Sequence, residues 1–153
     1  MRSVMKLQRT FSCITGVLIA VGFVASQASA GPEPAVCDFV IEINSIRGGS
    51  PTVTVNSFKD ITAKARIAKG TAAEGTTIDT QLRIVATDGT QMIDSKTASP
   101  IRLGVGKGGQ GAKLRMFVSQ CNSGSIAFTA TFFGLDNDGD ECTASRRIVK
   151  VCK

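Results

Sequence analysis

The stretch SIAFTATFFGLDNDGDECTASRRIVKVC, residues 125–152, predicts a β-hairpin, and with it the fold class. Apolar and polar side chains alternate on both sides of its centre, which is the period of a strand with one buried face. The dipeptide Asp138-Gly139 at the centre favours a two-residue hairpin turn. The apolar cross-strand pairs expected from a turn at this position are Phe128 with Val149 and Ile126 with Val151.

The same alternation recurs through the rest of the chain, for example in DITAKARIAKG, residues 60–70, and AKLRMFVSQ, residues 112–120. Seven or eight such segments, separated by turn residues, predict an all-β fold in which two antiparallel sheets form a β-sandwich. In the number and spacing of its strands the chain resembles a bacterial immunoglobulin-like domain. That resemblance implies a sandwich architecture, but fold alone carries no function.

The first thirty residues have the order of a secretory signal peptide. A basic start is followed by an apolar run at residues 14–25 and by the small-residue site Ala28-Ser29-Ala30. The apolar run is too short to span a bilayer, which needs about 20 residues. We therefore predict a signal peptide at 1–30, a single β-sandwich domain at 31–153 with no membrane span, and a secreted or periplasmic location.

The composition argues against most enzyme classes. The chain contains no histidine, so the commonest general base and metal ligand are missing, and it contains no tryptophan or tyrosine. Residues 31–153 hold fifteen basic and twelve acidic residues, a net charge of +3 that is weak evidence for nucleic-acid binding. The sequence therefore predicts a protein that is not an enzyme and has no cofactor, with calcium as the one ion to consider.

Four cysteines follow the predicted cleavage site, and an even number in an exported chain indicates two disulfides. The hairpin places Cys152 opposite Ser125, near Cys121, whereas Cys142 lies at the far end of the strand. About ten strand residues, roughly 33 Å, separate the two ends, which is too far for a disulfide. The immunoglobulin-like resemblance implies that the first strand can run parallel to the last. The expected pairs are Cys37 with Cys142 and Cys121 with Cys152.

The acidic loop at residues 136–141 is the strongest candidate for a metal site. Its candidate ligands for calcium are Asp136, Asp138, Asp140 and Glu141. An EF-hand is excluded because Glu141 replaces the required glycine and Arg147 replaces the bidentate glutamate. The alternative is a polar hairpin tip in which Asp138-Gly139 supplies the turn geometry.

Basic side chains recur at outward positions of two predicted strands, and they form a possible basic face: Lys64, Arg66, Lys113 and Arg115. In an immunoglobulin-like order these strands would be neighbours, so the face could meet an acidic surface polymer. The alternative is an ordinary solvated face. Three apolar residues, Phe117, Phe133 and Leu135, also fall at outward positions, where they could contact a partner.

These observations predict an exported, non-enzymatic β-sandwich module with a binding, structural or accessory role. Its partner would be an unknown protein or a surface polymer, and nucleic acid is not favoured. The alternative function is a calcium-stabilised adhesion or surface-polymer-binding domain that uses the 136–141 loop.

Overall fold

The computed structural model describes residues 37–106 and 108–153. Within these residues the regular elements are eight β-strands, and no helix is present. None of the described residues therefore forms a helix suited to crossing a membrane. The predicted signal peptide, residues 1–30, lies outside the described residues, so its cleavage site stays a prediction.

The eight strands form two sheets. They are β1 (Ile41–Arg47), β2 (Thr52–Val53), β3 (Ser57–Ile67), β4 (Thr77–Asp88), β5 (Gln91–Gly104), β6 (Gln110–Val118), β7 (Ser125–Leu135) and β8 (Glu141–Cys152). A three-stranded sheet has the order β1-β3-β6, and a five-stranded sheet has the order β2-β8-β7-β4-β5. The all-β, two-sheet architecture is confirmed. The pairing is antiparallel except that the short β2 runs parallel to β8.

The core lies between the two sheets because each long strand buries alternate residues. In β3 the alternation predicted for residues 60–70 is confirmed, since Ile61, Ala63, Ala65 and Ile67 are fully buried. The strand β7 contributes the two largest fully buried side chains, Phe128 and Phe132. Burial of apolar area at about 25 cal/mol per Å² is the main favourable contribution to folding, so this alternation specifies which side of each strand faces solvent.

The predicted register of the last hairpin is wrong by one residue. Phe128 lies opposite Ile148 and Ile126 lies opposite Lys150, not opposite the two valines. The cause is a longer loop between the strands, in which the Asp136 N–H donates to the Asp140 carbonyl at 3.0 Å. Gly139, with φ of 87°, completes a three-residue connection in place of a two-residue one.

This shift moves two apolar side chains to the other side of the sheet. A one-residue change of register exchanges the two faces of a strand. Val149 and Val151 consequently point outward and are 53% and 59% exposed, whereas the sequence pattern placed them with the core.

Two disulfides connect the ends of the fold. Cys37 is bonded to Cys142 with a Cα–Cα distance of 5.3 Å, and Cys121 is bonded to Cys152 with a distance of 6.5 Å. These are the pairs expected from the sequence, and the register error does not affect them because it leaves each cysteine at the same end of β8. Two disulfides are typical of proteins in an oxidising compartment.

Close pairing of β3 with β6 depends on a glycine. A Cβ added to Gly111 would overlap the carbonyl oxygen of Ala63, whereas a Cβ added to Gly108 would meet nothing within 4 Å. We expect Gly111→Ala to destabilise the fold by roughly 1–3 kcal/mol, because the strands must separate. Gly108→Ala is the matched control and should unfold like the wild type. Chemical denaturation measures both, and equal stability of the two variants would contradict the tight pairing.

Candidate binding surface

The outward side of the sheet β1-β3-β6, called here the basic face, brings together the basic residues that the sequence suggested. The strands β3 and β6 are paired, and their register puts Arg115 opposite Asp60 and Lys113 opposite Thr62. Lys64 and Arg66 lie on the same side of β3, since Ala65 between them is buried in the core. β1 adds Arg47, opposite Thr62.

Positive charge is concentrated on this face. It carries five basic residues, Arg47, Lys64, Arg66, Lys113 and Arg115, and two acidic residues, Glu42 and Asp60. The other described residues contain nine basic and nine acidic side chains. The net positive charge of the described part of the chain therefore resides on the basic face.

Two of the five cations are paired with the acids. Arg66 lies 2.9 Å from Glu42, and Lys113 lies 3.4 Å from Asp60. Exposed pairs of this kind contribute little stability, typically about 0–1 kcal/mol. Within residues 37–106 and 108–153, the other three cations of the face form no ion pair.

Two exposed aromatic side chains lie beside these cations. Phe58 is opposite Phe117 in the register, and their ring centroids are 5.1 Å apart with the planes tilted by 51°. Phe58 is 56% exposed and Phe117 is 37% exposed. The guanidinium of Arg115 lies 4.5 Å from the centre of the Phe58 ring, within the range of a cation–π contact.

The sequence pattern predicts outward positions for Phe117 and Arg115, but the prediction does not include Phe58. The available signal was the alternation of residues 60–70, which extends back along β3 and puts Phe58 on the same side as Asp60 and Lys64. The other outward apolar residues, Phe133 and Leu135, lie on the five-stranded sheet and do not belong to the basic face. Phe133 is partly buried, and Leu135 is 61% exposed.

A groove of about 620 Å³ runs along one end of the basic face. Its lining includes Phe58, Asp60, Arg115 and Arg47, together with the loop that follows β1. Lys59 holds that loop in place, since its ammonium donates to the carbonyls of Ser50 and Thr52 at 3.1 and 3.0 Å. Burial, and then the charge of Lys150, lower the pKa of Lys59.

One of the four carboxylates of the acidic loop, that of Asp136, stabilises the loop itself. Asp136 is buried, and its Oδ1 accepts the N–H groups of Asp138 and Asp140 at 3.0 and 2.8 Å. Its Oδ2 accepts the N–H of Asp38 at 3.1 Å. Burial acts to raise the pKa of Asp136, but these hydrogen bonds and that from Gly139 lower it below the ordinary value.

The other candidate calcium ligands lie around the tip of the loop. Asp138 and Glu141 are exposed, and Asp140 is partly buried. Among the described residues, the one group of three ligand atoms that lie within 4.8 Å of one another is Cys37, Asp136 and Cys142. Both cysteines of that group are in a disulfide, so their sulfurs are not thiolate ligands. Calcium binding by the loop stays a hypothesis.

A second buried carboxylate was not singled out from the sequence. Asp88 ends β4, and it accepts the N–H groups of Asn122 and Ser123 at 2.6 and 2.8 Å. The Ser123 side chain, followed by these two N–H groups, lowers the pKa of Asp88 from 3.8 to about 2. The dipeptide Asp88-Gly89 is typical of a turn, but nothing in the local sequence indicates hydrogen-bond partners more than thirty residues away.

Comparison of the sequence with protein-family models and with curated proteins found no match.

Asp88 should make stability depend on pH below 4. Because its pKa is lowered in the folded state, the stabilisation is present above about pH 4 and is lost as the pH falls through about 2. We expect Asp88→Asn to lower the melting temperature by several degrees at neutral pH and the difference from wild type to shrink between pH 4 and pH 2. Asp138→Asn, at the exposed loop tip, is the control and should follow the wild type. A constant difference across that range would contradict the role of Asp88.

The acidic loop should not bind calcium tightly, because the Asp136 carboxylate already accepts three backbone N–H groups. We expect isothermal titration calorimetry to detect no calcium binding tighter than about 10⁻⁵ M, the weak end of the range for calcium sensors. Binding tighter than that, lost in Asp138→Asn, would instead support the calcium-stabilised alternative.

Proposed function

We propose that the protein is an exported, non-enzymatic, immunoglobulin-like binding module, and that its basic face contacts an acidic partner on a surface or polymer. The observation that carries the proposal is the position of the net positive charge. It lies on one sheet face, next to two exposed phenylalanines and a groove.

The strand order supports the immunoglobulin-like part of the proposal. In that fold one sheet contains the first, second and fifth strands as neighbours, and the other contains the third, sixth and seventh. If β1 and β2 together represent the first strand, and β5 an additional edge strand after the third, then β1-β3-β6 and β4-β7-β8 follow this order. The strand that would follow β6 at the edge of the smaller sheet is missing from the described residues.

Export is supported by the two disulfides. Such bonds persist in secreted and periplasmic proteins and are rare where cellular thiols keep cysteines reduced. They agree with the signal peptide predicted at residues 1–30, so a secreted or periplasmic location is the proposal that accounts for both features.

A binding role, and not a catalytic one, is supported by the state of the buried carboxylates. A general acid requires a raised pKa, which burial without hydrogen-bond donors would give. The pKa of Asp88 is lowered by the Ser123 side chain and then by backbone N–H groups, and the pKa of Asp136 is lowered by backbone N–H groups in spite of its burial. Both therefore hold loops in place.

The proposal is tested with immobilised heparin as a model polyanion at low ionic strength. We expect Lys64→Gln/Arg115→Gln to bind about tenfold more weakly than the wild type, because two exposed charges each contribute up to about 1 kcal/mol. The matched control is Arg83→Gln/Arg147→Gln, which removes the same charge from the other sheet and should bind like the wild type. Equal weakening by both pairs, or no binding by the wild type, would refute a specific role of the basic face.

A further inference from the structure

We propose that the ligand of the basic face is an acidic polysaccharide, and that one uronate ring packs on Phe58 and Phe117 with its carboxylate bound by Arg115 and Arg47. This inference rests on the proposed function and specifies its ligand class. Phe58, Arg115 and Arg47 line the same groove, and Phe117 adjoins Phe58.

The two phenylalanines suit the apolar side of a sugar ring. The free energy falls when apolar C–H groups of a sugar displace water from the exposed surfaces of the two rings. The negative faces of the rings also attract such hydrogens. The rings are tilted by 51°, so together they form an angled surface and not a flat platform. Such a surface fits the puckered ring of a sugar better than a planar nucleic-acid base, which stacks on a parallel face.

Arg115 is placed to combine this packing with recognition of a carboxylate. Its guanidinium lies over the Phe58 ring at 4.5 Å, and a sugar would contact the part of this ring, 56% exposed, that Arg115 leaves open. Arginine binds carboxylates through paired hydrogen bonds. Arg47 lines the same groove from β1, where it is opposite Thr62, and supplies a second cation. An acid group attached to a ring on Phe58 would therefore lie beside Arg115, with Arg47 as a second cation in the same groove.

The acidic residues of the face disfavour a nucleic acid. A nucleic-acid strand carries one phosphate at every nucleotide, so some phosphates would lie against Asp60 and Glu42. A polysaccharide presents hydroxyl groups between its acid groups, and hydroxyls donate hydrogen bonds to carboxylates as readily as they accept them from cations. The mixture of five cations with two carboxylates matches such an alternating chain.

The size of the face allows more than one sugar unit. The groove volume of about 620 Å³ is in the range of small-ligand sites, roughly 300–1,000 Å³. Lys113 lies two residues before Arg115 along β6, which corresponds to about 7 Å. Lys64 follows further along β3, so neighbouring acid units could continue from the groove across the sheet.

The test uses a short galacturonate oligomer as the probe, with its methyl ester as a neutral ligand of the same backbone, in isothermal titration calorimetry. We expect Phe58→Ala and Phe117→Ala each to weaken binding of the oligomer about tenfold. Arg115→Gln should weaken the acidic oligomer about tenfold but leave the weaker binding of the ester unchanged. Arg147→Gln, on the outer side of the other sheet, is the control and should bind like the wild type. Far-ultraviolet circular dichroism verifies that each variant is folded.

Three results would overturn this inference and still leave the proposed function standing. The first is binding of the oligomer that is lost in Lys64→Gln/Arg115→Gln but kept in Phe58→Ala. The second is that a protein that binds heparin through the basic face does not prefer the acidic oligomer, whether it binds the oligomer and its ester equally or binds neither. The third is tighter, Phe58-dependent binding of an oligodeoxythymidylate, which would assign the surface to single-stranded nucleic acid.

Discussion

The packing of the two sheets through their inner faces is the constraint on which the rest of the structure depends. Because Ile61, Ala63, Ala65 and Ile67 enter the core, the residues that alternate with them along β3 must face solvent. The same rule applied to β6 turns its basic residues and Phe117 to that side. The basic face is therefore the outer side of strands whose inner sides are buried, so its backbone is held by the core and does not depend on the contacts among its own side chains.

Each end of the sandwich is held by one disulfide and one hydrogen-bonded carboxylate. Asp136 accepts the N–H of Asp38, which follows Cys37, and the loop that Asp136 closes leads into Cys142. At the other end, Asp88 accepts the N–H of Asn122, which follows Cys121. Each disulfide thus has a buried carboxylate that fixes one of its flanking segments. A disulfide contributes about 2–4 kcal/mol to the free energy of unfolding because it restricts the unfolded chain. Each carboxylate, in contrast, stabilises one conformation of the folded loop through its hydrogen bonds.

The features that depend on alternation of apolar and polar residues could be predicted from the sequence. The features that depend on the geometry of a turn, or on hydrogen-bond partners distant in the sequence, could not. The inward series of β3, the outward series of β6 and the two-sheet architecture all follow from a period of two. The register of β7 with β8 depends on the number of residues in the loop. The two-residue turn predicted at Asp138-Gly139 therefore put Val149 and Val151 on the wrong side of the sheet. The roles of Asp88 and Asp136 depend on N–H groups that only the folded chain brings near, since Asp38 is 98 residues from Asp136.

A sheet with exposed aromatic rings is prone to aggregation unless its edge strands are protected from pairing with other chains. Both edges of the smaller sheet are partly blocked by side chains from the larger one. The Asp94 carboxylate accepts the N–H of Phe117 at 2.7 Å, on β6, and Arg146 donates to the carbonyls of Ile43 and Asn44 at the bulge in β1. These contacts satisfy backbone groups that another strand would otherwise use. Phe58 and Phe117 can then remain exposed for a ligand that approaches the face, while association through the edges is disfavoured.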